Sequence, residues 1–303
     1  MSDQSSTAAA AAPPAPVVDP NAIREIASGV FVICDHRIPL VPNIGIILGN
    51  TTALVVDTGM GPANGRKVLD AARRIAGQRP LMLTLTHFHP EHGFGAQVFK
   101  GAAKIHYNRA QRDELKAKGE GYLGMFKTFG PHVAAALEGT TLVHPDEVYE
   151  GSESTIDLGG RTVELRTWGL AHTAGDQVVW LPQERILFAG DLAEERMFPI
   201  FPWFPPDDVH IDGARWVQIL TELASWKPAI VVPGHGDIGG VEILTAVRDY
   251  MVDLSKRVAA ERTTGKNADA IVADLAPKIR AEHPDWSAPE WIDFAIKYYS
   301  TLS

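Results

Sequence analysis

Apolar residues fall into two kinds of pattern along the chain: short continuous runs and longer stretches with helical spacing. Four runs in the first third are typical of strands, and they cover residues 29–34, 43–49, 51–59 and 80–86. Between the last two runs, Val68, Leu69, Ala72 and Ile75 recur at the spacing of one helix face. The pattern therefore predicts three strands, a helix and a fourth strand.

The same alternation continues to about residue 240 and predicts an α/β layered fold. Further strands are predicted at 102–108, 161–169, 176–182, 184–191 and 228–237, with a helix at 210–226. The stretch 109–138 is predicted to be mainly helical, with breaks at Gly119, Gly121, Gly124 and Gly130. Three more helices are predicted near the C-terminal end, at 240–262, 267–281 and 287–299.

Composition and pattern divide the chain into three parts. Residues 1–20 consist mainly of small residues and proline with little to bury, which predicts a disordered tail. Residues 21–240 form the predicted α/β domain, and residues 241–303 form a helical C-terminal extension packed on it. A processed export signal is the alternative for the tail, although its start lacks basic residues and its apolar stretch is weak.

The net charge and the length of the apolar runs limit the kinds of partner that we expect. The 303 residues carry a formal net charge of −9 and no cluster of Lys and Arg, so a nucleic-acid partner is not expected. No apolar run reaches the roughly 18–20 residues that a membrane span needs, so no membrane partner is expected. We therefore expect a cytoplasmic protein with a small-molecule ligand. The sequence leaves the oligomeric state open, a homo-oligomer included.

Five of the eleven histidines follow predicted strands in short loops of small residues. They are His87, His89 and His92 in THFHPEHG, His172 in LAHTAGD, and His235 in VPGHGD. Two aspartates, Asp57 and Asp191, end predicted strands in the same way. Ligand sites of open α/β sheets gather at the carboxyl ends of the strands, so these side chains are expected to converge.

Convergence of imidazole and carboxylate groups is typical of a metal site. The one cysteine, Cys34, excludes a cysteine-rich zinc module, so nitrogen and oxygen ligands are expected. Pro90 suits the first position of a helix, which places Glu91 and His92 in its first turn. The positive end of that helix favours a carboxylate and keeps His92 neutral, as a metal ligand must be.

These segments together resemble the metallo-β-lactamase superfamily. The resemblance rests on LVVDTG (54–59), THFHPEH (86–92), AHTAGD (171–176), FAGDL (188–192) and VVPGHG (231–236). It implies an αβ/βα sandwich with the metals at one edge, so the expected fold is this sandwich with a helical C-terminal extension. It also implies ligand roles: one metal on His87, His89 and His172, a second on His92 and His235, and Asp191 bridging them.

The resemblance departs from the family pattern at Glu91, which stands where the usual H-x-H-x-D-H motif has aspartate. The longer side chain either still binds the second metal or acts as a base, and occupancy of the second site depends on which. The expected cofactor is Zn²⁺, as one or two ions, with iron or manganese as alternatives. Asp191 and Glu91 are the candidate catalytic residues, because either carboxylate can orient a metal-activated water. Asp57 is expected to hydrogen-bond a ligand histidine, with a strand-end cap as the alternative.

Candidate substrate-contacting residues are apolar and lie near the metal motifs: Met60, Phe88, Phe201, Trp203 and Phe204. The last three belong to the segment MFPIFPWFPPDD (197–208), which we call the aromatic loop. Its prolines and rings suit an apolar or aromatic substrate. The alternative is that these rings only cover the C-terminal helices.

Three functional hypotheses follow. The first is hydrolysis of a small ester, lactone, amide or similar substrate by metal-activated water. The second is an iron-dependent redox enzyme on the same scaffold, such as a persulfide dioxygenase or a di-iron oxygenase. The third is a non-catalytic metal-binding protein. Elemental analysis separates zinc from iron, and a screen of ester substrates tests the third hypothesis.

Overall fold

The computed structural model describes residues 14–302, and its strands form two mixed sheets. The first sheet holds seven strands in chain order: β1 (Ile23–Ala27), β2 (Val30–Ile33), β3 (Ile44–Leu48), β4 (Ala53–Val56), β5 (Leu81–Thr84), β6 (Ala103–Asn108) and β7 (Glu147–Tyr149). Neighbours from β1 to β4 are antiparallel, and neighbours from β4 to β7 are parallel. The carboxyl ends of β4 and β5 therefore meet at one edge.

The second sheet holds five strands: β8 (Glu153–Asp157), β9 (Thr162–Thr167), β10 (Gln177–Leu181), β11 (Ile186–Gly190) and β12 (Ile230–Pro233). Their spatial order is β12-β11-β10-β9-β8. Only β11 and β12 pair in parallel, and the other neighbours are antiparallel. The ends of β11 and β12 consequently point in the same direction.

Helices cover the outer faces of both sheets. Those in residues 14–302 are α1 (Gly61–Ala76), α2 (Pro90–Gly93), α3 (Arg109–Lys127), α4 (Pro131–Ala136), α5 (Gly213–Ser225), α6 (Glu242–Thr263), α7 (Ala268–Glu282) and α8 (Trp291–Thr301). A short 3₁₀ helix spans Ala96–Phe99. No helix in this part of the chain combines the length and the apolar character that a bilayer crossing needs.

Apolar side chains alternate between the two faces of the strands, so both faces of each sheet are apolar and three apolar layers form. In β4, Leu54 and Val56 face the second sheet and pack with residues such as Phe188 of β11. Ala53 and Val55 of the same strand face outward onto α1 and α3. The outer face of the second sheet is covered by α5 to α8. This layering confirms the expected αβ/βα sandwich with C-terminal helices.

Two details of the predicted elements are wrong. Gly119, Gly121 and Gly124 lie inside the unbroken helix α3, and only Gly130 stands at a real break, before α4. The strands β1, β7 and β8 were not predicted, because their residues are polar or only partly buried. Edge strands of this kind lack the apolar run that marks a buried strand.

The predicted tail is only partly within the described residues, since residues 1–13 lie outside them. Residues 14–20 are not disordered, as Val18 is 0% exposed and packs in the core around α1. Its backbone amide donates to Oδ1 of Asn64 at 2.9 Å, and Nδ2 of Asn64 donates to the carbonyl of Pro16 at 2.7 Å. The prediction failed there because two adjacent valines in a short segment rich in proline and alanine carry no periodic signal.

Candidate metal centre

The seven predicted ligands come together where the strand ends of the two sheets meet. His87 and His89 lie in the loop after β5, and Glu91 and His92 lie in α2. The second sheet contributes three residues: His172 from the loop between β9 and β10, Asp191 directly after β11, and His235 after β12. All seven are buried, with at most 5% of their surface exposed.

The seven side chains form two groups. His87, His89 and His172 make a trio, and Glu91, His92, Asp191 and His235 make a quartet. Within each group the ligand atoms lie within 4.8 Å of one another. The trio matches the first-metal set that the resemblance implied, and the quartet matches the second-metal set with Glu91 and Asp191 included.

Asp191 lies between the two groups. Its Oδ2 is 3.8 Å from Nε2 of His87 in the trio, and its Oδ1 is 3.1 Å from Nε2 of His92 in the quartet. Oδ1 is also 3.8 Å from Nε2 of His235. Its two oxygens thus face different groups, as a bridging carboxylate requires.

Hydrogen bonds on the far side of two rings fix which nitrogen faces Asp191. Nδ1 of His235 donates to the carbonyl of Val41 at 2.9 Å, and Nδ1 of His92 donates to Oδ2 of Asp57 at 2.9 Å. In neutral rings the Nε2 atoms then carry lone pairs, and both point at a carboxylate oxygen. Lone pairs that face each other in a buried site repel unless a proton or a cation lies between them.

Burial and charge set the protonation of the site. Burial lowers the pKa of His87 and His89 well below the usual imidazole value, and neighbouring histidines add to this effect. Burial also disfavours the charged form of His92, yet the carboxylates of Asp191 and Asp57 outweigh it and raise its pKa well above the usual value. The carboxylates of Asp191 and Asp57 thus favour a positive charge at the position of His92.

Unpaired buried atoms test whether these residues fit a metal. Within the described residues, no hydrogen-bond partner is present for Nε2 of the five histidines, for Oε2 of Glu91 or for either oxygen of Asp191. Buried polar atoms without partners are costly, so native proteins rarely keep them. Nitrogen and oxygen donors in this mixture suit zinc or a related ion. The residues therefore fit one ion at each group.

Asp57 supports the centre from the side of the first sheet. Besides its contact with His92, it accepts hydrogen bonds from the backbone amide of Thr86 at 2.7 Å and from its hydroxyl at 2.9 Å. Asp57 thus has the contacts expected from both alternatives, since it pairs with a predicted ligand histidine and also caps the end of a strand. Such partners orient a ligand ring and fix its tautomer.

Gly234 lets Asp191 come close to the strand end that carries His235. A Cβ at residue 234 would lie 1.9 Å from Oδ1 of Asp191, so any side chain there would displace the carboxylate. Asn43 holds the same loop, because its Nδ2 donates to the carbonyls of Pro233 and Gly236 at 3.1 and 2.8 Å. The loop geometry of His235 is therefore fixed from two sides.

Three of the five predicted substrate-contacting residues are fully buried. Met60, Phe88 and Phe201 are at most 1% exposed, and Phe201 packs on Trp216 and Tyr298 in the core below the C-terminal helices. The side chain of Trp203 lines a surface cleft of about 460 Å³ that is otherwise lined by residues of the C-terminal helical region and Pro205. For Phe201 and Trp203, the alternative that these rings cover the C-terminal helices describes the structure better. Phe204 is half-buried and also reaches Tyr122 of α3.

Sequence reasoning missed a further buried acid, Glu194, three residues after Asp191. It is 2% exposed, and its Oε1 accepts a hydrogen bond from the amide of Ile200 at 3.3 Å. Its Oε2 has no partner in the described part of the chain. Burial and the nearby charge of Asp191 raise the pKa of Glu194 well above the usual carboxyl value. Only its position in FAGDLAEE, next to a predicted ligand, could have pointed to it.

Comparison with known proteins decides the family. The sequence model of the family described as "Metallo-beta-lactamase superfamily" matches residues 37–235, about two thirds of the chain. The chain belongs to this superfamily. The matched region contains all seven ligands of the two groups, and it ends at His235.

Several members of the superfamily are similar in sequence. The linear primary-alkylsulfatase of Pseudomonas sp. (strain ATCC 19151) is 24% identical over 293 residues, which cover 82% of this chain and 51% of the relative. The acyl-coenzyme A thioesterase MBLAC2 of Homo sapiens is 25% identical, over 67% of this chain and 75% of the relative. A metallo-beta-lactamase type 2 of Bacteroides fragilis is 32% identical, over 34% of this chain and 42% of the relative. The chain thus spans about half the length of the alkylsulfatase and less of the lactamase.

Solved structures show the same superfamily fold. The sec-alkylsulfatase Pisa1 from Pseudomonas sp. superposes with a TM-score of 0.69 at 17% identity, covering 91% of this chain and 49% of that one. The DIM-1 metallo-beta-lactamase superposes with a TM-score of 0.59 at 22% identity, covering 78% of this chain and 97% of that one. At these identities the likeness establishes the fold alone.

Proposed function

We propose that the protein is a metal-dependent hydrolase with a binuclear centre, and that zinc is its metal. The observation that carries the proposal is Asp191, whose two unpaired buried oxygens face His87 of the trio and His92 of the quartet. A bound zinc ion would supply a Lewis acid and lower the pKa of a coordinated water towards about 7. The superfamily match and its hydrolytic relatives agree with this chemistry.

Some residues around that water would hold the metal ions, and others would orient the water. His87, His89 and His172 would hold the first ion, and Glu91, His92, Asp191 and His235 would hold the second. Asp191 and Glu91 supply the carboxylate oxygens that orient a water and accept its proton. The remaining ligands would bind as imidazoles, which donate electron pairs to an ion without adding negative charge. Their burial excludes bulk water from the centre.

The substrate we propose is an ester of an apolar chain, in the broad sense that includes sulfate esters and thioesters. Two relatives support it, since one is named for linear alkyl sulfates and the other for acyl-coenzyme A. Phe204 agrees with an apolar chain, because it is only half-buried and contacts Tyr122, whose ring is stacked on His89. A β-lactam is the competing substrate, since two metallo-beta-lactamases are also similar in sequence, one over 34% and the other over 70% of this chain.

A substrate panel with metal analysis tests the proposal. Protein purified without added metal is analysed for zinc, iron and manganese, and is then assayed for sulfate release from a primary alkyl sulfate, thiol release from an acyl-coenzyme A and opening of a cephalosporin. We expect close to two zinc ions per chain and turnover of one of the first two substrates. Chelation should abolish the activity, because the attacking water is no longer activated once the metal is removed. Addition of zinc should restore the activity.

Two results would contradict the proposal. Full activity in a sample shown by elemental analysis to lack metal would exclude metal-activated water. Iron in place of zinc, together with oxygen uptake, would favour the redox hypothesis instead. A His87→Ala variant serves as the control for adventitious metal, because it removes one ligand of the trio and should lose both metal and activity.

A further inference from the structure

One face of helix α3 carries three side chains that all point towards the metal centre or the loops around it. Glu114, Lys118 and Tyr122 follow one another at a spacing of four residues, which places them on the same side of a helix. Glu114 and Tyr122 are 7% and 5% exposed, and Lys118 is partly buried between them. Buried polar groups in a row on one helix face have to be explained by what they contact.

Tyr122 contacts a metal ligand with its ring. The rings of Tyr122 and His89 are stacked, with centroids 5.0 Å apart and an angle of 19° between the planes. The hydroxyl of Tyr122 donates to Oδ2 of Asp208 at 2.9 Å. Asp208 ends the aromatic loop, so Tyr122 lies between that loop and the trio.

Glu114 contacts the loop of a second ligand. Its Oε2 accepts the backbone amide of Gly175 at 2.9 Å, in the loop that carries His172. This loop lies directly on α3, because a Cβ at residue 175 would be 2.4 Å from Cα of Gln111. The same helix face therefore touches the surroundings of two trio ligands.

Lys118 ties the two contacts together. Its ammonium group is 2.9 Å from Oε1 of Glu114 and 3.0 Å from Oδ2 of Asp208. Ion pairs that are largely buried and share one cation restrict the side chains that take part in them. Asp208 is thereby held where it accepts the hydrogen bond that the Tyr122 hydroxyl donates.

His89 is a trio ligand that needs such support. Its side chain makes no hydrogen bond within residues 14–302, whereas Nδ1 of His87 lies 3.2 Å from the hydroxyl of Thr86. Nδ1 of His172 also has no hydrogen-bond partner there, although a carboxylate oxygen of Asp176 lies 3.4 Å away. Metal-binding histidines are normally oriented by a hydrogen bond to their second ring nitrogen. The ring of His89 has edge contacts with His87, Phe88 and His172, and its face is stacked on Tyr122. Stacking on Tyr122 can therefore fix the plane of His89.

We propose that Tyr122 is a positioning residue whose stacked ring orients His89 for metal binding. The inference rests on the proposed metal-dependent function, because it assigns a role in ligand geometry. It predicts that loss of the phenyl ring disturbs the metal at the trio, while loss of the hydroxyl alone disturbs it little. It also connects the end of the aromatic loop to the first metal through one side chain.

The test uses cobalt(II) in place of the native metal, with its visible absorption as a report on ligand geometry. Tyr122→Leu is expected to change the visible spectrum and to weaken binding of the first cobalt ion by about tenfold or more, the scale found for supports of metal ligands. Tyr122→Phe, which keeps the stacked ring, should keep the spectrum and bind within about twofold of the native protein. Phe126→Leu is the matched control, because Phe126 packs on Tyr122 one turn further along and its ring contacts none of the five ligand histidine rings.

The outcomes separate this inference from the proposed function. If Tyr122→Leu matches Phe126→Leu in spectrum and cobalt affinity, Tyr122 is only a packing residue and the inference is wrong. If the native protein binds no cobalt, the metal-dependent function itself fails. Tyr122→Met is made in parallel, because a flexible thioether fills irregular core space. Both variants lack the ring, so if Tyr122→Leu does not fold, the cobalt measurements on Tyr122→Met decide the question. Circular dichroism establishes folding before cobalt is added.

Discussion

At the scale of single residues, Glu91 is the departure from the family motif with the clearest consequence. Its Oε2 is buried without a partner among the described residues, and its carboxylate lies in one group with His92, Asp191 and His235. The extra methylene therefore does not carry the carboxylate away from the second group. This geometry favours the ligand role of Glu91 over a role as a base alone.

Replacing Glu91 by Gln separates the two roles. If Glu91 is a ligand, Glu91→Gln should bind about one metal ion per chain instead of two and lose activity with it. If it acts as a base, the variant should keep both ions and lose turnover by about 10²–10⁴-fold. Elemental analysis and kcat measured on the same sample distinguish these outcomes. Full metal content with unchanged kcat would contradict both roles.

Glu194 predicts a pH-dependent effect in the protein without metal. Burial raises its pKa in the folded state, so between the unfolded value of about 4.3 and that raised value the folded state binds more protons. Stability contributed by the protonated form is then present at low pH and is lost as the pH rises. Glu194→Gln cannot ionise, so the metal-free variant should melt a few degrees above the metal-free native protein at pH 7 and show no such gain near pH 4.

The control for this comparison is Glu195→Gln. Glu195 is paired with Arg37 and Arg196 near the surface, so its loss should not produce a gain that grows with pH. Melting curves between pH 4 and pH 8, recorded after chelation, measure the difference. A gain of the same size at every pH would show that the charge of Glu194 is not what destabilises the metal-free protein.

At the scale of elements, the sequence predicted those that are buried and periodic. The strands β3 to β6, β9 to β12 and the helices α1 and α5 appear within a few residues of their predicted bounds. The edge strands β1, β7 and β8 did not, because partly exposed strands lose the apolar run that identifies them. In α3, packing on the centre outweighs the low helix propensity of Gly119, Gly121 and Gly124.

The candidate site divides in the same way between predictable and unpredictable parts. The convergence of the seven side chains could be predicted because each follows a strand end, and strand ends converge in a layered α/β fold. Tyr122 and Glu194 were not found, because what marks them is contact with residues distant in sequence. Tyr122 touches His89 across 33 positions, and only the fold brings that ring to the centre. The same limit explains Phe201, whose burial depends on where the C-terminal helices pack.

At the scale of the whole molecule, the metal centre joins two sheets that otherwise meet mainly through apolar packing. His87, His89 and His92 come from the first sheet and the helix that follows it, whereas His172, Asp191 and His235 come from the second. Each group contains ligands from both sheets, so each bound ion would cross-link them. Without metal, the same edge holds several buried charges and lone pairs that repel.

Removal of the metal should therefore lower the stability of the entire fold rather than of one loop. An ion present at 1,000 times its dissociation constant stabilises the folded state by about 4 kcal/mol, which corresponds to a fall in Tm on the order of 10 °C on chelation. Differential scanning calorimetry at fixed pH measures this, and a single transition that shifts as a whole is expected. Zinc should restore the Tm, and Ca²⁺ should not, because it prefers oxygen ligands and the trio offers only nitrogen. An unchanged Tm after verified metal removal would mean that the ions do not hold the two sheets together.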